Sequence, residues 1–499
     1  MDADGRSRRV PPFWTSVGQT RGVMNGEERN YGWARPTSRH LSREFERRYG
    51  VRNSRNFVRK YSYRARFERT MEYVKWSVRN AWEDYLEGDC HLRVAQMDRL
   101  RQHKYSAVDI SWLDEYCMKR FWEYVVQFYP MWISPNVITV SGFFINLVTV
   151  LILACFSYDA KIAASSWAYF QAAVGLFLYQ TLDATDGKQA RRTGSSSPLG
   201  ELLDHGCDAM SQVLVTLNIC YAMLLGQERY VVLFVTVSSV TLFYCAHWST
   251  YCTGRLKFAK QVPLFIFDVI LLEFNTHPMV YQKLSQIMLH FCRFDVTEAQ
   301  MTILVVLLVT SIFGTGFWTE QFLHISLKYV AVFISGLMCI SQIGDYLVNV
   351  VTGGVGKNGS TVADTSVLSP LIPLLMMITP FCMIYSKSVT AVYDDHITLF
   401  ALCFGAVSTK ATMRLILAHM SRSELAMWDW IYLSPLMMML NQYYDMPLNE
   451  FYLLVCATVY AYASLSLYCV MIIRQLCAHL KVYCFSLKPL NEPSEKVAR

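Results

Sequence analysis

Four aspartates stand in one short stretch, DATDGKQARRTGSSSPLGELLDHGCD, which spans residues 183–208. Asp183 and Asp186 are three residues apart, and Asp204 and Asp208 are four apart. At helical pitch each pair shares a face, so two helix ends could aim four carboxylates at one point. Four such charges repel one another unless cations neutralise them. Hard divalent ions such as Mg2+ take carboxylate oxygens and leave room for a substrate phosphate. Neighbouring residues fit the same chemistry. Arg191 is a planar, permanently charged donor suited to phosphate. Gly187, directly after Asp186, lets a substrate approach the backbone, and Gly200 clears the face one turn before Asp204. An unperturbed histidine titrates at about 6.5, so a histidine such as His205 is a residue type suited to proton transfer near neutrality. Glu201, four residues earlier on the same face, can orient its ring. A second assignment makes Asp208 the base and His205 a hydrogen-bonding neighbour.

The elements that must position this cluster are apolar. Hydrophobic residues make up 53% of the 499 and charged residues 17%. Ten apolar blocks run over residues 137–156, 167–182, 209–226, 230–248, 301–317, 325–349, 367–386, 397–418, 430–443 and 451–478. A bilayer core takes about 20 helical residues to cross. The ninth block is the shortest and carries Pro435. Before the first block, residues 111–129 interleave Trp112, Tyr116, Trp122 and Phe128 with Asp114, Lys119, Arg120 and Glu123, and Pro130 follows. That pattern predicts a helix lying in the membrane interface. The expected fold is all-α: a polytopic membrane protein with about ten transmembrane helices and an amphipathic interfacial helix ahead of them.

Charge divides the chain at about residue 104. The first 104 residues hold 23 of the 46 Lys and Arg and 13 of the 39 Asp and Glu. This basic head is expected to be cytosolic and partly disordered, with a helical stretch from Phe57 to Tyr85. It could bind acidic lipid or stay a solvated tail; a nucleic-acid partner is not expected. Residues 105–499 form the membrane domain. A cytosolic head and ten crossings place both termini and the 183–208 motif on the cytosolic face. No apolar stretch follows the N-terminal charges, so no cleavable signal peptide is expected. The 15 cysteines lie scattered through apolar blocks and read as small buried residues. The Gly353–Thr361 stretch fails the phosphate-loop pattern, because Val351 and Asn358 stand where Gly and Ser or Thr are needed. It reads as a loop whose Lys357 could steer an anionic substrate.

Asp183, Asp186, Gly187, Ala190, Arg191, Gly200, Asp204 and Asp208 meet every position of one signature. It reads Asp-x-x-Asp-Gly-x-x-Ala-Arg, eight residues, then Gly-x-x-x-Asp-x-x-x-Asp. By it the chain resembles the CDP-alcohol phosphotransferases. WISPNVIT (Trp132–Thr139), KQARRTGSSS, SPLGELLDHGCD and GGVGKNGST with TSVLSP are similar to the eukaryotic choline/ethanolamine branch, over roughly residues 100–484.

The resemblance implies transfer of phosphocholine or phosphoethanolamine from CDP-choline or CDP-ethanolamine to diacylglycerol, with release of CMP. It implies two Mg2+ or Mn2+ ions held by Asp183, Asp186, Asp204 and Asp208. Arg191 would grip phosphate, and Asn136 with Gly187 and Gly200 would lie along the nucleotide. The first six spans would form the catalytic bundle, and the rest would support lipid access and possible homodimer contacts. The setting implied is the endoplasmic reticulum or a related endomembrane, Golgi or nuclear envelope, with the site facing the cytosol. The competing readings are a family member that uses CDP-diacylglycerol and a cation transporter. Two features depart from the family: the longer basic head, and an insertion over residues 259–293. The insertion's apolar run, 262–274, carries Asp268 and Glu273 and is too short to cross alone. It is expected to leave and return on the cytosolic side.

Overall fold

The computed structural model describes residues 91–103, 111, 113–228, 230–255, 260–261, 293–294, 296–322, 324–388 and 390–487. The basic head before residue 91, with the helix expected over 57–85, and the body of the 259–293 insertion lie outside the described residues.

Helices dominate. Among the described residues, three helices of nine residues or fewer are α1 (Val94–Gln102), α2 (Lys119–Val125) and α10 (Val392–Asp395). Each of the ten apolar blocks coincides with a helix: α3 (Pro135–Ser157), α4 (Ser166–Thr193), α5 (Pro198–Ala222), α6 (Val231–Thr253), α7 (Val296–Phe313), α8 (Leu327–Thr352), α9 (Leu371–Lys387), α11 (Ile397–Met420), α12 (Leu433–Tyr443) and α13 (Glu450–Leu480). Among the described residues six of these, α3, α6, α7, α8, α11 and α13, are long and apolar enough to cross a membrane by length and composition alone. The chain is an all-α polytopic membrane protein. Helices α4 and α5 carry the acidic motif, and α9 is a shorter apolar helix of 17 residues.

The ninth block behaves differently. With 11 residues, α12 reaches about 16 Å at 1.5 Å per residue, roughly half of a 30 Å hydrocarbon core. The chain between α11 and α12 is largely non-helical until a 3-10 turn (Trp430–Tyr432) leads into α12. Asp429, at its inner end, accepts hydrogen bonds from Lys410 Nζ at 2.7 Å, Arg414 Nη1 at 2.5 Å and Ile431 N at 2.7 Å. Lys410 lies ten residues before the end of α11, so this segment descends about 15 Å alongside that helix. Lys410 is fully buried and also reaches Ser464 Oγ at 3.2 Å. Charges at membrane depth are tolerated when paired and turned inward, as these are.

Helix α11 is the hub, packing against α5, α6, α9 and α13, while α5 touches α3, α6, α7 and α11. Small residues bring backbones together. A Cβ on Gly175 would stand 2.3 Å from Thr149 Oγ1, so the α3–α4 contact needs glycine there.

The amphipathic element expected over 111–129 is helical but broken into a π turn (Asp114–Met118), α2 and a 3-10 turn (Val126–Phe128) before Pro130. Met118, Trp122 and Val126 face inward, whereas Tyr116, Tyr124 and Phe128 are exposed. Arg192 Nη1 donates to Val126 O and Tyr129 O, both at 2.7 Å, and Gln189 Nε2 donates to Pro130 O at 3.1 Å. At the other end, Glu298 Oε1 on α7 accepts from Ser111 Oγ at 2.6 Å and Leu113 N at 3.1 Å.

Helix α1 precedes the boundary that charge suggested, yet it packs on the membrane unit. Its Leu100 is fully buried, Arg99 Nη1 donates to Arg422 O at 2.9 Å, and Asp98 pairs with His479 at 3.1 Å. The two flanks of the insertion meet as an antiparallel ladder, Lys260 opposite Phe294 and Gln261 opposite Arg293. Away from the motif, Glu228 accepts from Tyr329 and from Lys328 Nζ at 3.2 Å, and these donors hold its carboxyl below the usual range.

Candidate active site

The motif's helices are set by local signals. Gly194, left-handed at φ 65°, ends α4. Ser197 caps α5 by accepting from Gly200 N at 3.2 Å, and Pro198 follows at the first helical position. Helix α3 packs on both and lies between them. The aspartates do not sit at helix ends, which corrects the sequence expectation. Asp186 is seven residues before the end of α4 and Asp204 six after the start of α5, about 10 Å inside at helical rise. Helix α4 outruns its apolar block because residues 183–193 contain no Pro, and the single Gly187 does not stop it.

The four carboxyl groups converge. Asp183 lies in side-chain contact with Asp204 and Asp208, and Asp186 with Asp204. Tyr179 OH donates to Asp208 Oδ1 at 2.9 Å, and Thr139 Oγ1 donates to Asp186 Oδ2. Asp183 Oδ1 is buried and receives no hydrogen bond from the described residues. Asp204, His205 and Asp208 bring donor atoms within 4.8 Å of one another. An orphaned carboxylate oxygen among crowded oxygen donors fits a hard divalent ion.

His205 is buried at 5% exposure, with Nδ1 3.8 Å from Asp208 Oδ2. Its ring meets His247 edge-on at 5.3 Å. Glu201 Oε1 lies 3.0 Å from His103 Nε2, and His103 in turn stacks edge-on against His419 at 5.7 Å. His103, His247 and His419 lie outside the sequence motif. The structure buries His247 beside the candidate base; an ionisable residue inside an apolar block was the signal available. His103 gave no such signal, since it sits alone in a basic stretch.

Asn136 Nδ2 donates to Cys484 O at 2.7 Å, and a Cβ on Gly200 would stand 3.3 Å from Asn136 Oδ1. Beside Gly187 a Cβ would meet only Arg191 Nη1, at 3.7 Å, so that face is open. All ten residues singled out from the sequence, Asn136, Asp183, Asp186, Gly187, Arg191, Gly200, Glu201, Asp204, His205 and Asp208, line one cavity of about 1580 Å3. Lys357 is not among its lining residues. The cavity continues past Gln180, Ser211 and Thr216 to apolar walls that include Ile219, Val235, Ile303 and Val332. Small-molecule pockets usually span about 300–1,000 Å3, so this one has room for a polar and an apolar substrate together.

Residues 132–332 match the family model described as CDP-alcohol phosphatidyltransferase. The chain is 36% identical over 408 residues to "Cholinephosphotransferase 1" of Xenopus laevis, covering 81% of this chain and 93% of that protein. It is 37% identical over 408 residues to the Homo sapiens protein of the same name, covering 81% and 92%. An uncharacterised class-I CDP-alcohol phosphatidyltransferase of Dictyostelium discoideum is 28% identical over 400 residues, covering 78% and 86%. With its motif, bundle and these relatives in agreement, the chain belongs to the CDP-alcohol phosphatidyltransferase family.

Proposed function

We propose that the protein transfers phosphocholine or phosphoethanolamine from CDP-choline or CDP-ethanolamine to diacylglycerol, in the endoplasmic reticulum or a related endomembrane with the site on the cytosolic face. One observation carries this reading. Four convergent carboxylates stand in a cavity that continues into apolar walls between membrane helices, so a nucleotide diphosphate and a membrane lipid can meet there. The cholinephosphotransferase relatives favour the choline or ethanolamine donor over CDP-diacylglycerol.

Asp183, Asp186, Asp204 and Asp208 would hold two Mg2+ or Mn2+ ions. When bound, these ions neutralise the diphosphate and the charge that develops as CMP leaves. The protein's own side chains do the rest. Arg191, beside the open face of Gly187, holds a phosphate oxygen. His205 takes the proton from the lipid hydroxyl, whose oxygen bonds to the β-phosphorus while the bond from that phosphorus to the bridging oxygen of CMP breaks. Glu201 and His103 fix the α5 face from which His205 projects. Asn136 and Gly200 shape the wall beside the nucleotide.

The test is direct. Purified full-length protein is incubated with radiolabelled CDP-choline, diacylglycerol and Mg2+, and the lipids are extracted. Label in the organic phase is the expected result. Label that stays aqueous with CDP-choline and CDP-ethanolamine alike would overturn the assignment, and transfer from CDP-diacylglycerol instead would reassign the donor.

A further inference from the structure

Gln180 on α4 is 4% exposed and lines the cavity, yet among the described residues neither its amide nitrogen nor its amide oxygen has a hydrogen-bond partner. A primary amide stranded in a membrane bundle is costly. It stands three residues before Asp183, so it lies on the same face about one turn, or roughly 4.5 Å, farther from the turn at 194–197. Beyond it the cavity wall holds Gln212 and Thr216, each hydrogen-bonded to Ser239, and then apolar residues such as Ile219, Val235 and Val332. The amide therefore stands as a stranded hydrogen-bonding group between the carboxylates and a wall that grades into apolar side chains.

A glycerolipid acceptor has the same layout. Its free hydroxyl must sit at the carboxylates and His205 for the reaction to occur. Its two ester groups follow a few bonds away, at about the depth of Gln180, and the acyl chains lie beyond. An ester carbonyl accepts hydrogen bonds and donates none, which suits the amide N–H2.

We propose that Gln180 selects the acceptor by donating from Nε2 to an ester carbonyl of the diacylglycerol. This deepens the proposed function and rests on it for the identity of the lipid. The assignment predicts discrimination between ester-linked and ether-linked acceptors of equal chain length, because an ether lacks the carbonyl.

The full-length enzyme in mixed micelles is assayed with dioleoylglycerol and with the two analogues in which one ester is replaced by an ether. For the wild type, kcat/KM should fall by about fivefold, the scale of one neutral hydrogen bond, with the analogue that lacks the engaged carbonyl. The Gln180→Leu variant should show a similar loss with dioleoylglycerol and no further loss with that analogue, while KM for CDP-choline is unchanged. Equal use of ester and ether acceptors by the wild type overturns the proposal, and this arm needs no variant to fold. A variant that keeps the wild-type preference, or loses activity equally with all acceptors, also overturns it. Lipid binding is read separately by thermal stabilisation of the protein with dioleoylglycerol or its dialkyl analogue, without any CDP-alcohol. If no donor supports transfer but the wild type is stabilised more by the ester than the ether and Gln180→Leu is not, the transfer reading fails and the carbonyl contact stands.

Discussion

His103 Nε2 and Glu201 Oε1 lie 3.0 Å apart across 98 residues of sequence. The first follows α1, outside the apolar blocks, and the second opens the catalytic helix α5. Helix α1 is pinned by Arg99 on Arg422 O and by Asp98 on His479. A segment docked on one side of the bundle thus reaches the carboxylate four residues from the candidate base. His103→Ala should lower kcat roughly tenfold, the scale of one hydrogen bond to a charged group, with little change in KM for the CDP-alcohol. His103→Gln, which keeps a terminal amide donor, should restore most of the loss. Steady-state kinetics with both substrates check this; a loss confined to KM, or no rescue by Gln, would mark His103 as structural only.

Crowded carboxylates predict a trade between stability and activity. Asp183→Asn removes one charge from a cluster whose members touch. In EDTA its thermal midpoint should lie above that of the wild type, while transfer falls to background. Mg2+ should raise the wild-type midpoint more than the variant's. Thermal unfolding with and without chelator, beside the lipid-extraction assay, tests both halves.

His205→Ala should reduce turnover about a hundredfold, the usual scale for loss of a general base, with CDP-alcohol binding retained. Isothermal titration separates the two quantities. If the loss lies wholly in affinity, Asp208, held by Tyr179 at 2.9 Å, becomes the base.

The ladder between Lys260 and Phe294 brings the two flanks of the insertion together. Deleting residues 262–292 and closing the gap with a short Gly-Ser turn should leave the later helices correctly oriented and activity near the wild-type level. A cysteine at Gln282, in a background lacking reactive native cysteines, should react with an impermeant reagent from the cytosolic face. Labelling from the opposite face would overturn that placement.

Asp429→Asn should destabilise the protein by about 3–5 kcal/mol, because it removes the carboxylate that neutralises the buried Lys410. Lys410→Met combined with Asp429→Leu should recover much of this, since Arg414 is 12% exposed and keeps a route toward solvent. Yield of monodisperse protein and thermal midpoint measure it; equal loss in single and double variants would show that the pairing itself is not what matters.

Much of this molecule was legible in its sequence, for identifiable reasons. Helices α3 to α9, α11 and α13 follow from apolar blocks, since a bilayer imposes length and composition at once. The ten motif-linked residues meet in one cavity because the α4–α5 turn is short and fixed by Gly194, Ser197 and Pro198. The missing parts depend on long-range packing. Hydropathy marks the ninth block as short, but does not show that the chain ahead of α12 is held by Asp429 pairing with Lys410, 19 residues earlier. Nor does periodicity show that Arg192 caps the interfacial helix while adjacent Arg191 lines the cavity. His103, His247 and His419 approach the motif only through tertiary contacts.

The half-length helix α12 also bears on how the protein is made. During synthesis, segments enter the bilayer from the translocon according to apolar length, and a lone Asp near a span's centre costs about 2.5–3.5 kcal/mol there. With 11 residues and Asp429 just ahead of it, α12 lacks the means to partition unaided. Its entry must wait for α11 to present Lys410 and Arg414, and for α13 to cover Ser434, which donates to Ala457 O at 3.0 Å. Insertion of the last three helices is therefore ordered, with α12 drawn in between its neighbours. A ribosome stalled before α13 leaves a partly inserted hairpin with an uncovered buried charge cluster, a form open to membrane quality control whatever the state of the catalytic half.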